Sequence, residues 1–337
     1  MNTTPLARPN PGIIFDTLRA FQQTSVLVAG IDLGVFTLIA EGVTDAAGIA
    51  AKCGASEKGI RILCDNLVVS EFLTKANGHY GNSLNASVFL DRHSPAYMGG
   101  LTEFLCTPEL MQEMMQNFTA NVRKGGTLMP GEGTVTPENP VWVKFARCMA
   151  PLMRPAAEDI AAHVPPVGPL KVLDIAAGHG LFGITIAQHN PEATIVAVDW
   201  PKVLEVASEH ALEAGVQSRY STIPGDAFTV DFGSGYDVVL ITNFLHHFSP
   251  EVNTEFLKKV HAALKPGGQA ITLEAVPNED RVSPPSPARF SAVMLSSTAH
   301  GDAYTFAELD AMMREAGFPV NVIHLLETQQ SIIVSTR

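Results

Sequence analysis

Two histidines stand together where an apolar run ends. Residues 241–248 read ITNFLHHF, directly after Val238-Val239-Leu240, so His246 and His247 follow a buried strand out of the core. An imidazole of ordinary pKa, ~6.5, can take or give a proton near neutrality. Either these rings close the core or one of them handles a proton. A carboxylate closes a second apolar run, Glu274 in ITLEAV. A third constellation is Gly178-x-Gly180-x-x-Gly183 within VLDIAAGHGLFG, residues 172–183. Glycine is needed where backbone approaches a ligand closely or takes positive φ. The spacing also fits a dinucleotide fingerprint. Asp199, closing TIVAVD, suits a ribose diol in either case.

Three features separate the alternatives. Asp174 lies inside the first strand, where a carboxylate would repel the two phosphates of a dinucleotide but would suit a ligand carrying an ammonium and a sulfonium. Gly225-Asp226-Ala227-Phe228 places another carboxylate after the third strand, beside an aromatic ring, as an adenine amino group requires. An antiparallel pair at the C-terminal end is unlike dinucleotide folds. Acids at three successive strand ends point to S-adenosylmethionine (SAM). A nicotinamide dinucleotide is the competing ligand. A metal held by His246 and His247 with Glu274 or Asp302 is disfavoured, because neighbouring side chains on extended backbone point apart. No metal is expected.

The elements that hold these residues alternate from Pro169 onward. KVLDIAA, TIVAVD, STIPGDAF, YDVVLITN and QAITLEAV read as strands, with helices to His189, from Pro201 to Ala214, and from Ser249-Pro250 to LKPGG. Ser249 is the N-cap and Pro250 the first helical residue. This pattern predicts an α/β, Rossmann-like parallel sheet with helices on both faces. NVIHLLE and SIIVST, around Thr328-Gln329-Gln330, add two antiparallel strands at its end.

Residues 101–165 read as a helical bridge, interrupted by the Gly/Thr/Pro-rich loop 125–140. Trp142, Phe145, Met149, Met153, Ala156 and Ile160 recur at helical spacing and make one helix face apolar. Trp142, Phe145 and Met149, with Phe290 and Met294, are candidate pocket walls, methionine being suited to moulding around a flat ligand. The loop RVSPPSP, 281–287, is a candidate lid. Toward the N-terminus, a helix at 46–53, a turn at Gly54-Ala55, a helix from Ser56 to about Ser70 and a small hairpin at 72–81 form a winged-helix pattern. Apolar residues from Ile13 to Ile39 suit helices buried against a partner.

The 337 residues are 46% hydrophobic and 17% charged, which predicts a large core rather than disorder. A net charge of −12 excludes bulk nucleic-acid affinity, which needs Lys and Arg. The second winged-helix segment sets Lys58 and Arg61 against Glu57 and Asp65, so a DNA-binding regulator is disfavoured. Four scattered cysteines form no C-x-x-C pair. The polar start MNTTPLARPNPG lacks an apolar signal segment, and no run of about 20 apolar residues predicts a membrane span. A cytoplasmic protein is expected, with neither nucleic-acid nor membrane partners.

On these motifs the chain resembles the class I SAM-dependent methyltransferases, and within them the small-molecule O-methyltransferases that carry an N-terminal winged-helix dimerisation domain. The resemblance spans Ile13 to the last strand. It implies a homodimer that methylates a hydroxyl of a small, largely apolar, aromatic metabolite. It divides the chain into a dimerisation domain (1–105), a helical linker contributing to the substrate pocket (106–168) and a SAM-binding domain (169–337). Asp174, Gly178 and Gly180 are then expected to hold the methionine part of SAM, Asp199 the ribose, and Gly225 to Phe228 the adenine. Ala176, where the family has glycine, and Trp200, Ala227 and Asn243 complete the candidate cofactor set. The family's Leu-His-Asp-Trp corresponds to Leu245-His246-His247-Phe248, which makes His246 the general base and Glu274 its partner. A second family acid falls on Ala303 in Gly301-Asp302-Ala303-Tyr304-Thr305, so this base has one acid fewer. That departure also motivates the alternatives of N- or C-methylation, or a non-methylating reaction on bound SAM.

The missing acid matters because a phenol has a pKa near ~10. Full proton transfer to an unperturbed imidazole is uphill by roughly 5 kcal/mol at ~1.4 kcal/mol per unit. A single supporting carboxylate favours an acceptor hydroxyl more acidic than a simple phenol, or catalysis that leans on alignment.

Overall fold

The computed structural model describes residues 9–337; residues 1–8, which open the segment read as lacking a signal and the expected dimerisation domain, lie outside them. The chain divides into two compact units, one ending at Thr102 and one running from Glu103 to Arg337.

In the first unit, the helix Gly12–Asp32 is followed by helices Val35–Ala40, Ala46–Cys53 and Glu57–Val69. Asp45 and Ser56 cap the latter two through the backbone N–H groups of Gly48 and Gly59. Strands β1 (Leu73–Ala76) and β2 (His79–Asn82) pair antiparallel around Asn77-Gly78. Phe36, Ile49, Ile60 and Leu67 form the core. Arg61 and Lys75 both pair with Asp65, at 3.1 and 2.5 Å, so this face offers little free positive charge. Along Gly12–Asp32 the side chains of Ile13, Ile14, Phe15, Leu18 and Phe21 are exposed, Ile13 by 73%.

The second unit is built on seven strands: β3 (Leu170–Ile175), β4 (Ala193–Asp199), β5 (Tyr220–Pro224), β6 (Tyr236–Thr242), β7 (Leu264–Glu274), β8 (Val320–Leu325) and β9 (Ser331–Thr336). Their order is β5-β4-β3-β6-β7-β9-β8. The first five run parallel, and β9 enters antiparallel between β7 and β8. Strand order reverses between β3 and β6, and a ligand crevice is expected beyond the strand carboxyl ends there. Leu173, Ile175, Val239 and Ile241 fill the sheet, and Phe256, Leu257 and Val260 of helix Pro250–Ala263 pack on it.

Some local expectations are corrected. The stripe from Trp142 to Ile160 is two helices, Val141–Cys148 and Ala150–Ala161, which part at Met149; Pro151 opens the second. LKPGG does not simply end a helix, because Leu264 already pairs with Tyr236 at the start of β7. Residues 285–287 of RVSPPSP form the first turn of helix Pro285–Ser297. The glycines of loop 125–140 have a packing reason. Thr127 N–H donates to Thr298 O and Thr134 N–H to Ser297 O. A Cβ on Gly126 would lie 2.4 Å from Ala299 O, and one on Gly133 2.2 Å from Ser297 O.

Candidate active site

A cavity of ≈1130 Å³ opens at the carboxyl ends of β3, β4, β5 and β6. Single-ligand pockets run to about 1,000 Å³, so this one has room for a nucleoside ligand and a second molecule. Ala176, Gly178, Asp199, Trp200, Asp226, Ala227, Phe228 and Asn243 all line it. So do Trp142, Phe145, Met149, Phe290, Met294 and His246.

The glycine turn after β3 is held to the next strand by charge-assisted bonds. Asp199 accepts from Gly178 N–H at 2.8 Å and from Trp200 N–H at 2.7 Å. Burial pushes its carboxyl up to about 6 against those two bonds. The carbonyl of Asp199 accepts from Gly225 N–H at 2.9 Å, tying the third acidic loop to the second. Asp226 accepts from Phe228 N–H at 2.9 Å. Lys259 donates to the carbonyls of Ala227, Phe228 and Val230 at 2.6–3.1 Å and clamps that loop from behind. Ala176 takes φ +52°, the left-handed region that favours glycine.

Asp174 and Gly180 stand behind the wall rather than on it. Asp174 is fully buried and accepts from Gly183 N–H at 3.1 Å, and its other oxygen has no partner among the described residues. Burial pushes this carboxyl up to about 8. Gly180 begins helix Leu181–His189 at φ +72°, where a Cβ would lie 2.7 Å from the Tyr220 hydroxyl.

The paired histidines occupy a short 3₁₀ turn, Leu245–His247. The extended backbone expected there is absent, and the two rings lie 4.1 Å apart instead of pointing away. His246 Nδ1 lies 2.5 Å from Glu274 Oε2. Glu274 Oε1 accepts from Phe244 N–H at 3.0 Å and Leu245 N–H at 2.8 Å. Strand register and the turn together explain this meeting: Thr242 pairs with Leu273, so Glu274 and the chain leaving β6 share one sheet edge, and the turn Leu245–His247 brings His246 back to Glu274. An ionised Glu274 can only accept. The proton of a neutral His246 therefore sits on Nδ1, which leaves the Nε2 lone pair unclaimed in a residue that lines the cavity.

His247 differs. Burial, and then the neighbouring His246 imidazole, hold its pKa well below the usual range. Its ring meets Trp142 edge-on at 5.2 Å. Asp302 reaches neither ring. Its carboxylate pairs with Arg281 at 3.3 Å and accepts from Ala303 N–H, while its own N–H donates to His246 O. Ala303 is buried and uncharged.

Several wall residues went unmarked in the sequence. Phe104, Met111, Met114, Thr134, His179, Ser297 and Gln330 reach the cavity from distant segments. His179 accepts from Leu181 N–H through Nδ1 and stacks on Phe145 at 6.0 Å. Gln330 donates to Asn243 at 2.8 Å and secures the hairpin turn over the crevice. Only Gly178-His179-Gly180 carried a local signal, and glycine spacing says nothing about the residue between.

The sheet order, its crevice and the His–Glu pair define a class I, SAM-dependent methyltransferase. The residues fit that cofactor: the carboxylates of Asp199 and Asp226 stand on the wall at the strand ends, no Lys or Arg lines it among the described residues, and the glycine turn faces the space. The chain belongs to the O-methyltransferase family: an O-methyltransferase domain matches residues 136–319 and an O-methyltransferase dimerisation domain residues 15–92. It is 28% identical over 329 residues to 3-hydroxy-5-methyl-1-naphthoate 3-O-methyltransferase from Streptomyces sahachiroi, covering 93% of this chain and 91% of that protein. A candidate O-methyltransferase of known structure from Nostoc punctiforme PCC 73102 is 47% identical, with a TM-score of 0.94 over 98% of this chain and 100% of that one. Human N-acetylserotonin methyltransferase, solved in complex with SAM, shares the fold at 21% identity, with a TM-score of 0.85 over 99% of each chain. The protein is thus a SAM-dependent O-methyltransferase with a dimerisation domain. Among the described residues no helix is long and apolar enough to cross a membrane.

Proposed function

We propose that the enzyme methylates a hydroxyl of a small, flat, aromatic metabolite, with His246 as general base. The observation that supports this is the 2.5 Å contact between His246 Nδ1 and Glu274, which leaves Nε2 available on a residue that lines the cavity. When bound, SAM supplies an electrophilic methyl group on a sulfonium. His246 accepts the acceptor's hydroxyl proton as the oxygen becomes nucleophilic. Glu274 fixes the tautomer and stabilises the imidazolium, and the N–H groups of Phe244 and Leu245 fix Glu274. His247 stays neutral and packs.

The cofactor lies along the strand ends in this proposal. The amino-acid end sits at Ala176, Gly178 and the turn that Asp174 and Gly180 support. The ribose sits at Asp199 beside Trp200, the adenine at Asp226, Ala227 and Phe228, and Asn243 stands near the transferred methyl. Trp142, Phe145, Met149, Phe290 and Met294 enclose the acceptor, and residues 106–168 supply much of that wall. Residues 1–105 pair two copies into a homodimer through the exposed apolar face of Gly12–Asp32. The scattered cysteines, with no C-x-x-C pair among them, support a cytoplasmic setting.

The test is a mass-spectrometric screen of hydroxylated aromatics for gain of one methyl, with calorimetry of SAM and light scattering for mass. Failure to bind SAM, or methyl gain confined to nitrogen or carbon, overturns the reading.

A further inference from the structure

We infer that the acceptor is an uncharged, flat aromatic whose reacting hydroxyl is conjugated with a carbonyl group, and neither a plain phenol nor a carboxylated one. This deepens the proposed function and rests on His246 being the base.

Charge on the wall comes first. The fully charged side chains that line the cavity are Glu132, Asp199 and Asp226, and no Lys or Arg joins them among the described residues. Asp199 and Asp226 belong to the cofactor's strand ends, so the acceptor's side keeps one carboxylate and no permanent cation. The remaining imidazoles do not replace it. His179 is buried and accepts from Leu181 N–H, His246 is engaged by Glu274, His247 is buried against Trp142, and His300 is exposed. An acceptor carboxylate would lose its hydration without gaining a cationic partner, which is costly in a largely apolar site.

Shape comes second. Phe104, Trp142 and Phe145 meet edge to face or tilted, with centroids 5.2–6.4 Å apart. Phe290 stands edge-on to His246 at 4.9 Å. Aromatic edges and faces around the base favour a ring slid between them.

Basicity comes third. Among the described residues Glu274 is the carboxylate that touches His246; the neighbouring Asp302 pairs with Arg281, and the next side chain is a buried alanine. In the reaction the hydroxyl proton passes to His246 Nε2. The oxygen's electron pair forms the O–CH₃ bond as the CH₃–S bond breaks, and sulfur keeps that pair and becomes neutral. A carbonyl conjugated with the hydroxyl spreads the developing oxyanion charge, which supplies the acidity that a second carboxylate would otherwise have assisted.

Three probes sharing one ring test this: 4-acetyl-1-naphthol, 4-ethyl-1-naphthol and 4-hydroxy-1-naphthoate. Calorimetry first establishes binding of S-adenosylhomocysteine to the full-length enzyme; if it does not bind, the methyltransferase reading itself fails. Each naphthol is then titrated into that complex and assayed with SAM. The acetyl compound is expected to exceed the ethyl compound in kcat/KM by about tenfold or more. The carboxylate is expected to bind the complex about tenfold more weakly than the acetyl compound. Equal rates for the acetyl and ethyl compounds, equal or tighter binding of the carboxylate, or no transfer to any of the three with the cofactor product bound, overturns the inference.

Discussion

The two halves of the cavity are made of different material. The half proposed for the cofactor consists of strand ends on one sheet, at 176–178, 199–200, 226–228 and 243, joined by backbone hydrogen bonds. The acceptor half is assembled from side chains on separate helices and loops, among them Phe104, Met111, Trp142, Phe290 and Gln330. The first half can present N–H and carboxylate groups at fixed places because the ladder leaves the backbone little freedom. The second half is set by packing, where apolar side chains of similar volume exchange at modest cost. His246 sits at the join. Its backbone belongs to the turn that follows β6, and its ring lines the cavity beside Phe290.

The sharpest break of that comparison is His246→Ala. Turnover is expected to fall by about 10²–10⁴-fold, with SAM affinity by calorimetry unchanged. A parallel loss of affinity would mean that the halves are not separable at this residue. Next comes Lys259→Met. It removes three bonds to the carbonyls of residues 227–230. Stability in urea is expected to fall by on the order of 2 kcal/mol, with weaker SAM binding and unchanged acceptor affinity. Equal weakening of both ligands would show that the sheet edge also sets the acceptor wall.

A smaller effect concerns pH. Asp174 in the folded, ligand-free enzyme has its carboxyl pushed by burial up to about 8, against ~3.9 in an unfolded chain. The folded state holds a proton that the unfolded chain releases. This contribution to stability is complete below about pH 4 and is lost as pH rises toward about 8. Asp174→Asn cannot ionise and keeps an acceptor for Gly183 N–H. The variant is expected to match wild type at pH 5 and to exceed it by roughly 1–2 kcal/mol at pH 6, read from Tm. A variant that loses stability equally at both pH values would assign Asp174 no titrating role. The smallest effect is Ala176→Gly. The left-handed conformation costs alanine ~1–2 kcal/mol, and glycine loses roughly 0.5–1 kcal/mol in chain entropy. A net gain of up to about 1 kcal/mol is expected in thermal unfolding. A net loss would show that the alanine methyl contributes packing at the turn.

The same contrast explains what could be read in the sequence. Gly178, Asp199, Asp226 and His246 were legible because a strand end announces itself: an apolar run stops, and the residue that follows must face the crevice. Glu274 was legible for the same reason. Asp174 was located correctly in its strand, but one residue's difference in depth puts its carboxylate beneath the turn, and periodicity does not report depth. On the acceptor side only residues in a continuous stripe, Trp142, Phe145 and Met149, could be found. Phe104, Met111 and Gln330 come together through tertiary packing alone. The break at Met149 had a signal in Pro151, which suits the first turn of a new helix. The close histidine rings depend on a 3₁₀ turn that no pattern in ITNFLHHF announces.

The loop that bears Thr134 is fastened to the end of helix Pro285–Ser297 by a clasp made mostly of main chain, to which the Thr134 hydroxyl adds a bond to Ser297 O, with Gly126 and Gly133 pressed against the carbonyls of Ala299 and Ser297. Because main chain carries most of the fastening, the buckle stays shut through most exchanges along the belt. A lineage can therefore retailor the belt for a new guest one position at a time, provided those two glycines are left alone.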